Sequence, residues 1–270
     1  MTDYVYCVVS SVRSRFLPCD AMRCAPIFLK SVAEHTDAAV IVSALITGVE
    51  QNELTAAHGG DIQFIPLLAS DATELMMAKW RVLAGFDRLE EGDRIFVMDA
   101  DTVVKGDIFA VFDEYPDMDV GLTARHYAHH EPYNAGVWCC RWGNATKEFM
   151  RLVIEQMERG TTRYDGSHNS DQMALHRVLY DDTFVPRWNV NIDPVTPVGV
   201  SWSPNGCAAK VVNIGHQYNF CPGIDRFSPA DIKAAFCGAI DDPAIKVLHF
   251  KGDGSKDVMY AYAEDRYGRT

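Results

Sequence analysis

Four short β-rich runs punctuate the first hundred residues: Tyr4 to Ser10, Ala39 to Ile46, Ile62 to Leu67 and Arg94 to Met98. Between the first two, Cys24 to His35 can wind as a helix. Asp71-Ala-Thr-Glu74 has the form of a capping box that opens another, with Met76, Trp80 and Leu83 on one face. Strands that alternate with helices join as parallel neighbours, and the helices cover the sheet from both sides. The expectation is an α/β fold with a mostly parallel central sheet and helices on both faces. Ligands of such sheets bind beyond the carboxyl ends of the strands. The fourth run leads straight into Asp99-Ala100-Asp101 at one of those ends.

The second half is less regular. Strands are expected near Val120 to Ala124 and Gly136 to Cys140. A helix should follow from about Ala145 to Arg159, with Asn144 as its N-cap, Phe149, Leu152, Val153 and Met157 on one face, and Gly160 as its stop. Asn144-Ala-Thr146 also fits the glycosylation acceptor pattern, and capping is the preferred reading. Thr183 to Cys221 is rich in Pro, Asn and Gly and reads as substrate-side loops. Lys246 to Phe250 forms a last strand, and Asp257 to Arg266 a closing helix. With 270 residues, 48% of them apolar, and no repeat or composition break, one domain over residues 1–270 is expected.

Charge and cysteine usage narrow the function classes. A formal net charge of -12 disfavours general binding to nucleic acid, although a local basic groove is compatible with it. No window approaches the roughly 20 apolar residues of a bilayer span, and no basic region precedes the first apolar run. The eight cysteines include no CxxC pair, and Cys139 and Cys140 should point to opposite faces of one strand. A cytoplasmic protein with reduced thiols is expected.

Two carboxylates at i and i+2, where a strand gives way to a loop, can present oxygens to a hard cation. Mg²⁺ and Mn²⁺ take such ligands and share them with substrate phosphates. Asp-x-Asp by itself often marks only a solvated turn. The apolar strand before Asp99 makes a half-buried acidic pair costly unless something compensates. His249 also ends a predicted strand and is followed by Phe250-Lys-Gly-Asp-Gly-Ser-Lys256. Its imidazole can complete a metal shell, Gly252 and Gly254 let backbone amides approach phosphate, and Lys251 or Lys256 can meet a diphosphate.

Four stretches in this order, Phe96 to Val104, Asn134 to Val137, Asp165 to Gln172 and His249 to Gly252, resemble the glycogenin-like and bacterial lipopolysaccharide galactosyltransferase family. The resemblance spans roughly residues 4 to 256. It implies a GT-A fold, with the donor-binding part at about 1–110 and the acceptor side at about 111–270. It also implies retaining transfer of a hexose from a nucleotide sugar, usually a UDP-sugar, with Mn²⁺ or Mg²⁺. Carried over by position, Asp99, Asp101 and His249 would bind the metal, with Ala100 between the aspartates at the donor. Lys79 would approach donor phosphate or sugar, or else be a solvated helix lysine. Asn134 would bond the donor sugar and Gly136 would permit its close approach. Asp171 and Gln172 would stand beside the sugar ring as catalytic residues. Ser10 and Ser11 would meet base and ribose, and Gly252 and Lys256 the phosphates.

One departure stands out. The family's last motif reads His-x-x-Gly-x-x-Lys-Pro-Trp, whereas here the lysine comes one residue late, at Lys256, and no Pro-Trp follows. The phosphate role falls to Lys251, to Lys256 or to neither. Asp171, Asp165, Glu131 and Asp253 are all carboxylates open to a further role, so retention and inversion are not separated by the residues alone.

The acceptor is unread: a glycan, a protein, a small molecule or a modified base all fit, with Trp188, Trp202, His216 and Tyr218 as candidate contacts or plain packing. A sugar-nucleotide pyrophosphorylase would share the α/β fold but needs a glycine-rich loop after the first strand. Residues Ser10 to Pro18 contain no glycine. A fold of this type that binds a sugar nucleotide without turnover is the non-enzymatic alternative.

Overall fold

The computed structural model describes residues 1–10, 21–69, 72–124, 133–160, 170–180, 199, 201–202, 204, 206–222 and 228–268. In chain order the first half gives β1 (Asp3–Ser10), α1 (Ala21–His35), β2 (Ala39–Leu45), α2 (Gly48–His58), β3 (Ile62–Pro66), α3 (Ala72–Ala84), β4 (Arg94–Asp99), β5 (Thr102–Val104) and α4 (Val111–Glu114). The second half gives β6 (Val120–Ala124), β7 (Tyr133–Arg141), α5 (Asn144–Gly160), α6 (Ser170–Tyr180), β8 (Ser201–Trp202), β9 (Val211–Asn213), α7 (Pro229–Asp241), β10 (Val247–His249) and α8 (Asp253–Tyr267). A 3₁₀ turn, His216–Tyr218, lies between β9 and α7.

Eight strands form the central sheet in the order β3-β2-β1-β4-β7-β6-β9-β8. The first four are mutually parallel, as the alternation of strands and helices requires. β7 then runs antiparallel to both β4 and β6, while β6 and β9 are parallel. β5 and β10 pair antiparallel as a separate two-stranded sheet.

Period-two alternation sorts the strand side chains into two cores. Phe96 and Met98 of β4 join Cys7, Val9, Phe28, Leu29 and Val42 on the α1 side. Ile95 and Val97 join Trp80, Trp138, Phe149 and Leu175 on the side of α3, α5 and α6. There Trp80 stacks on Trp138 with ring centroids 4.6 Å apart. Cys139 and Cys140 fall in opposite cores as free thiols. A third cluster, including Ile27, Val103, Phe236, Leu248, Phe250 and Met259, fastens the β5–β10 pair to α1, α7 and α8.

Local chemistry explains the elements that apolar spacing does not announce. α2 buries only Leu54, and a reciprocal capping box between Thr47 and Glu50 opens it, with Gly59 at φ 77° closing it. Ser228 and Asp231 cap α7 in the same way, with Pro at its first turn. The expected cap of α5 shifts by one residue: Gly143 holds the cap position and Asn144 begins the helix. The cap residue expected for α3, Asp71, lies outside the described residues.

Candidate active site

The carboxyl ends of the parallel strands, the start of β7 and the end of β10 converge on one cleft. Asp99 is the last residue of β4, and Val8 of β1 lies beside it in register. Ser10 therefore sits on the same edge, two residues further along β1 and half-buried. Ser11 lies outside the described residues. Asp101 follows one turn residue later, with Ala100 buried between the two carboxylates.

His249 reaches them by backbone register. It pairs with Thr102 across the β5–β10 ladder, and the Phe250 amide donates to the Asp101 carbonyl at 2.9 Å. Carboxylate oxygens of Asp99 and Asp101 and a ring nitrogen of His249 all lie within 4.8 Å of one another, so the three can hold one cation. The His249 ring is buried, and its Nδ1 lies 3.0 Å from Asn219 Oδ1. An amide oxygen only accepts, so Nδ1 carries the hydrogen and Nε2 faces Asp101 Oδ1 at 3.3 Å.

The acidic pair is compensated by two buried lysines, one on each flank. Lys79, on α3, is only 5% exposed, which removes the solvated alternative. Its Nζ lies 3.4 Å from Asp99 Oδ1 and 3.2 Å from Asp171 Oδ2, and donates to the Ala135 carbonyl at 3.1 Å. Burial alone would lower its pKa, but Asp99 and Asp171 outweigh that and hold it above the usual lysine range. Lys256, on α8, donates to Asp101 Oδ2 and to the Phe250 carbonyl. Burial acts to raise the Asp101 carboxyl, yet Lys256 and His249 hold it well below the ordinary carboxylate range. Burial pushes Asp99 upward, opposed by Lys79 and reinforced by the neighbouring Asp101 charge. Asp99 nevertheless leaves 42% of its side chain accessible, so it keeps an open face for a ligand.

β7 closes the cleft from the antiparallel side. Asn134, the second residue of that strand, is buried, and its side-chain oxygen accepts the Gly136 amide at 2.8 Å. Gly136 could not be anything larger: an added Cβ would sit 2.2 Å from His249 Cε1 and 2.6 Å from Asp99 Oδ2. Asp171 and Gln172, both buried, open the first turn of α6, where a carboxylate suits the helix N-terminus. Gly252 precedes α8 at φ 82°, a conformation that favours glycine.

Some expected contacts resolve as packing. Tyr218 is fully buried and donates to Glu114 Oε1 at 2.6 Å, so it is not an acceptor-facing ring. His216 is exposed, near Phe220, and Trp202 belongs to β8. Trp188, Asp165 and Glu131 lie outside the described residues. Nothing in the sequence marks Asn219 as a partner of His249. It is placed there because Phe220 bridges Leu248 in parallel, a contact visible only in the folded chain.

With this geometry, residues 69–219 match the family model described as nucleotide-diphospho-sugar transferase. The chain belongs to the nucleotide-diphospho-sugar transferase family. The matched stretch carries Lys79, Asp99, Asp101, Asn134, Asp171, Gln172 and Asn219, whereas His249 and Lys256 of this nucleotide-diphospho-sugar transferase lie beyond it.

Solved structures place it in the GT-A fold. The glycosyltransferase GlyE of Streptococcus pneumoniae TIGR4 superposes with a TM-score of 0.62 at 16% identity, over 97% of this chain and 60% of that one. The chain thus spans about three fifths of the length of that pneumococcal protein. The galactosyltransferase LgtC, solved with donor and acceptor sugar analogues, gives 0.54 at 14% identity, over 93% and 87% of the two chains. Mouse xyloside xylosyltransferase 1 gives 0.52 at 11%, over 93% and 98%. No curated protein sequence matches this nucleotide-diphospho-sugar transferase.

Proposed function

We propose that the chain transfers a hexose from a UDP-sugar to an acceptor hydroxyl with retention, using Mn²⁺ or Mg²⁺ held by Asp99, Asp101 and His249. The observation that carries this is the convergence of those three residues within 4.8 Å, with the imidazole locked by Asn219 so that Nε2 is the nitrogen presented to them. Two carboxylates and one neutral imidazole form a donor set suited to a divalent cation shared with phosphate oxygens. When bound, the cation supplies charge to stabilise the departing nucleoside diphosphate.

The chain's own residues do the rest. Asn134 Nδ2 is buried and has no partner among the described residues, and it is the donor proposed to meet a sugar hydroxyl. Asp171, tied to Lys79, is the carboxylate proposed to face the sugar ring as positive charge develops at the anomeric carbon. Gln172 lies beside it, and Gly136 keeps the floor of the cleft low enough for the ring to approach. Ser10, at the end of β1, is proposed for the nucleoside side, and Gly252 offers its backbone to the phosphates.

Incubation with Mn²⁺ and a panel of UDP-sugars, with released UDP as the readout, tests the reading. Slow donor hydrolysis is expected, and Asp101→Ala should lower it by about a thousandfold. Metal-dependent UDP binding without release would leave a binding protein in place of a transferase. No release and no metal-dependent binding would overturn the proposal.

A further inference from the structure

Position in the sequence leaves the donor diphosphate to Lys251, to Lys256 or to neither, and in the fold Lys256 lies against the second aspartate of the motif. It is 5% exposed, and its Nζ contacts Asp101 Oδ2 and the Phe250 carbonyl. The other Asp101 oxygen faces His249 Nε2. One oxygen of this carboxylate is therefore held by a fixed positive charge of the protein itself. On the opposite flank Lys79 joins Asp99 to Asp171.

Among the described residues, the carboxylates and ammonium groups linked by these contacts are Asp99, Asp101, Asp171, Lys79 and Lys256, which with a neutral His249 carry one net negative charge. A divalent cation arriving alone would turn that into one net positive charge in a partly desolvated cleft. A cation arriving with a diphosphate would not.

We propose that Lys256 is a positioning residue that stands in for the cation at Asp101, and that it thereby couples metal binding to the nucleoside diphosphate. Its ammonium holds the motif turn in place without a metal, because an unpaired, largely desolvated carboxylate would be costly. The same ammonium repels an incoming cation, so affinity for the metal alone is weak until the diphosphate adds negative charge. This rests on the metal reading given above.

The test is Mn²⁺ binding to the full chain by electron paramagnetic resonance, with and without UDP, for the wild type, Lys256→Met, Lys256→Gln and Lys256→Arg. UDP should tighten wild-type Mn²⁺ binding by about tenfold or more. Removing the charge in Lys256→Met or Lys256→Gln should tighten binding of Mn²⁺ alone by about tenfold and shrink the UDP effect by the same factor. Lys256→Arg should behave as the wild type. Thermal unfolding gives a second readout: the neutral variants should melt lower than the wild type without metal and gain more from added Mn²⁺.

Unchanged or weaker binding of Mn²⁺ alone in the neutral variants, as expected of a phosphate ligand or a purely structural lysine, would overturn the inference while leaving the metal site standing. A wild type that binds no Mn²⁺ with or without UDP would remove the metal reading, and the inference with it.

Discussion

The parallel block β3-β2-β1-β4 and the small β5–β10 pair serve the same centre by different means. In the parallel block a residue's place follows from its neighbours in the chain: a strand ends, and its last residue stands at the carboxyl edge. Asp99 is delivered this way, beside the end of β1. In the β5–β10 pair, place follows from long-range backbone register. His249 is aligned by Thr102, its amide is fixed to the Phe220 carbonyl at 2.9 Å, and the next amide is fixed to Asp101. Asp99, Asp101 and the counter-charge Lys79 thus come from local order, and the imidazole and ammonium that meet Asp101 come from distant segments.

Of the substitutions that set the two regions against each other, the largest effect is expected at β7, the strand where the two systems meet. Gly136→Ala would drive a methyl into both His249 and Asp99. Misplacing two ligands at once should reduce donor hydrolysis by about 100-fold or more, with Mn²⁺ binding lost in parallel. Retained activity would mean that the ligands are less rigidly placed than the contrast requires.

A smaller effect is expected from Asn219→Leu, which keeps the volume roughly but removes the acceptor for His249 Nδ1. Mn²⁺ affinity measured by calorimetry should fall by about 10- to 100-fold. An unchanged affinity would show that register alone orients the imidazole.

The smallest effect is expected within the parallel block. Thr47→Ala breaks the capping box of α2 and should cost about 1 kcal/mol in denaturant unfolding. Mn²⁺ affinity should not move. If it does, the parallel block is more than a platform and the division fails.

The same division explains what could be read in advance. Strand ends after apolar runs are local signals, so Asp99, Asp101 and His249 were recognisable as candidates and do come together. Lys79 stands between two readings because exposure cannot be judged from a helix stripe alone; burial against Asp99 and Asp171 removes the solvated one. Lys256 is one of two lysines that the sequence leaves open for the phosphates; in the fold it lies on α8 with its Nζ on Asp101, a contact between distant segments that no motif position announces. Asn219 had no signal, because its role depends on a bridge between segments 28 residues apart in sequence, Phe220 and Leu248. α2 escaped notice for a different reason: with one buried residue it has no apolar stripe, and only Thr47 and Glu50 mark its start.

Lys256 and Asp101 touch across 155 positions of chain, and His249 lies almost as far from its ladder partner. On a ribosome the parallel block emerges first, complete with both carboxylates. A nascent chain halted before residue 249 carries neither the imidazole nor the ammonium, so Asp99 keeps Lys79 as its counter-charge while Asp101 has none of its own among the described residues. The proposed metal centre is therefore among the last features that synthesis can finish, and a clipped or stalled chain lacks the means to complete it.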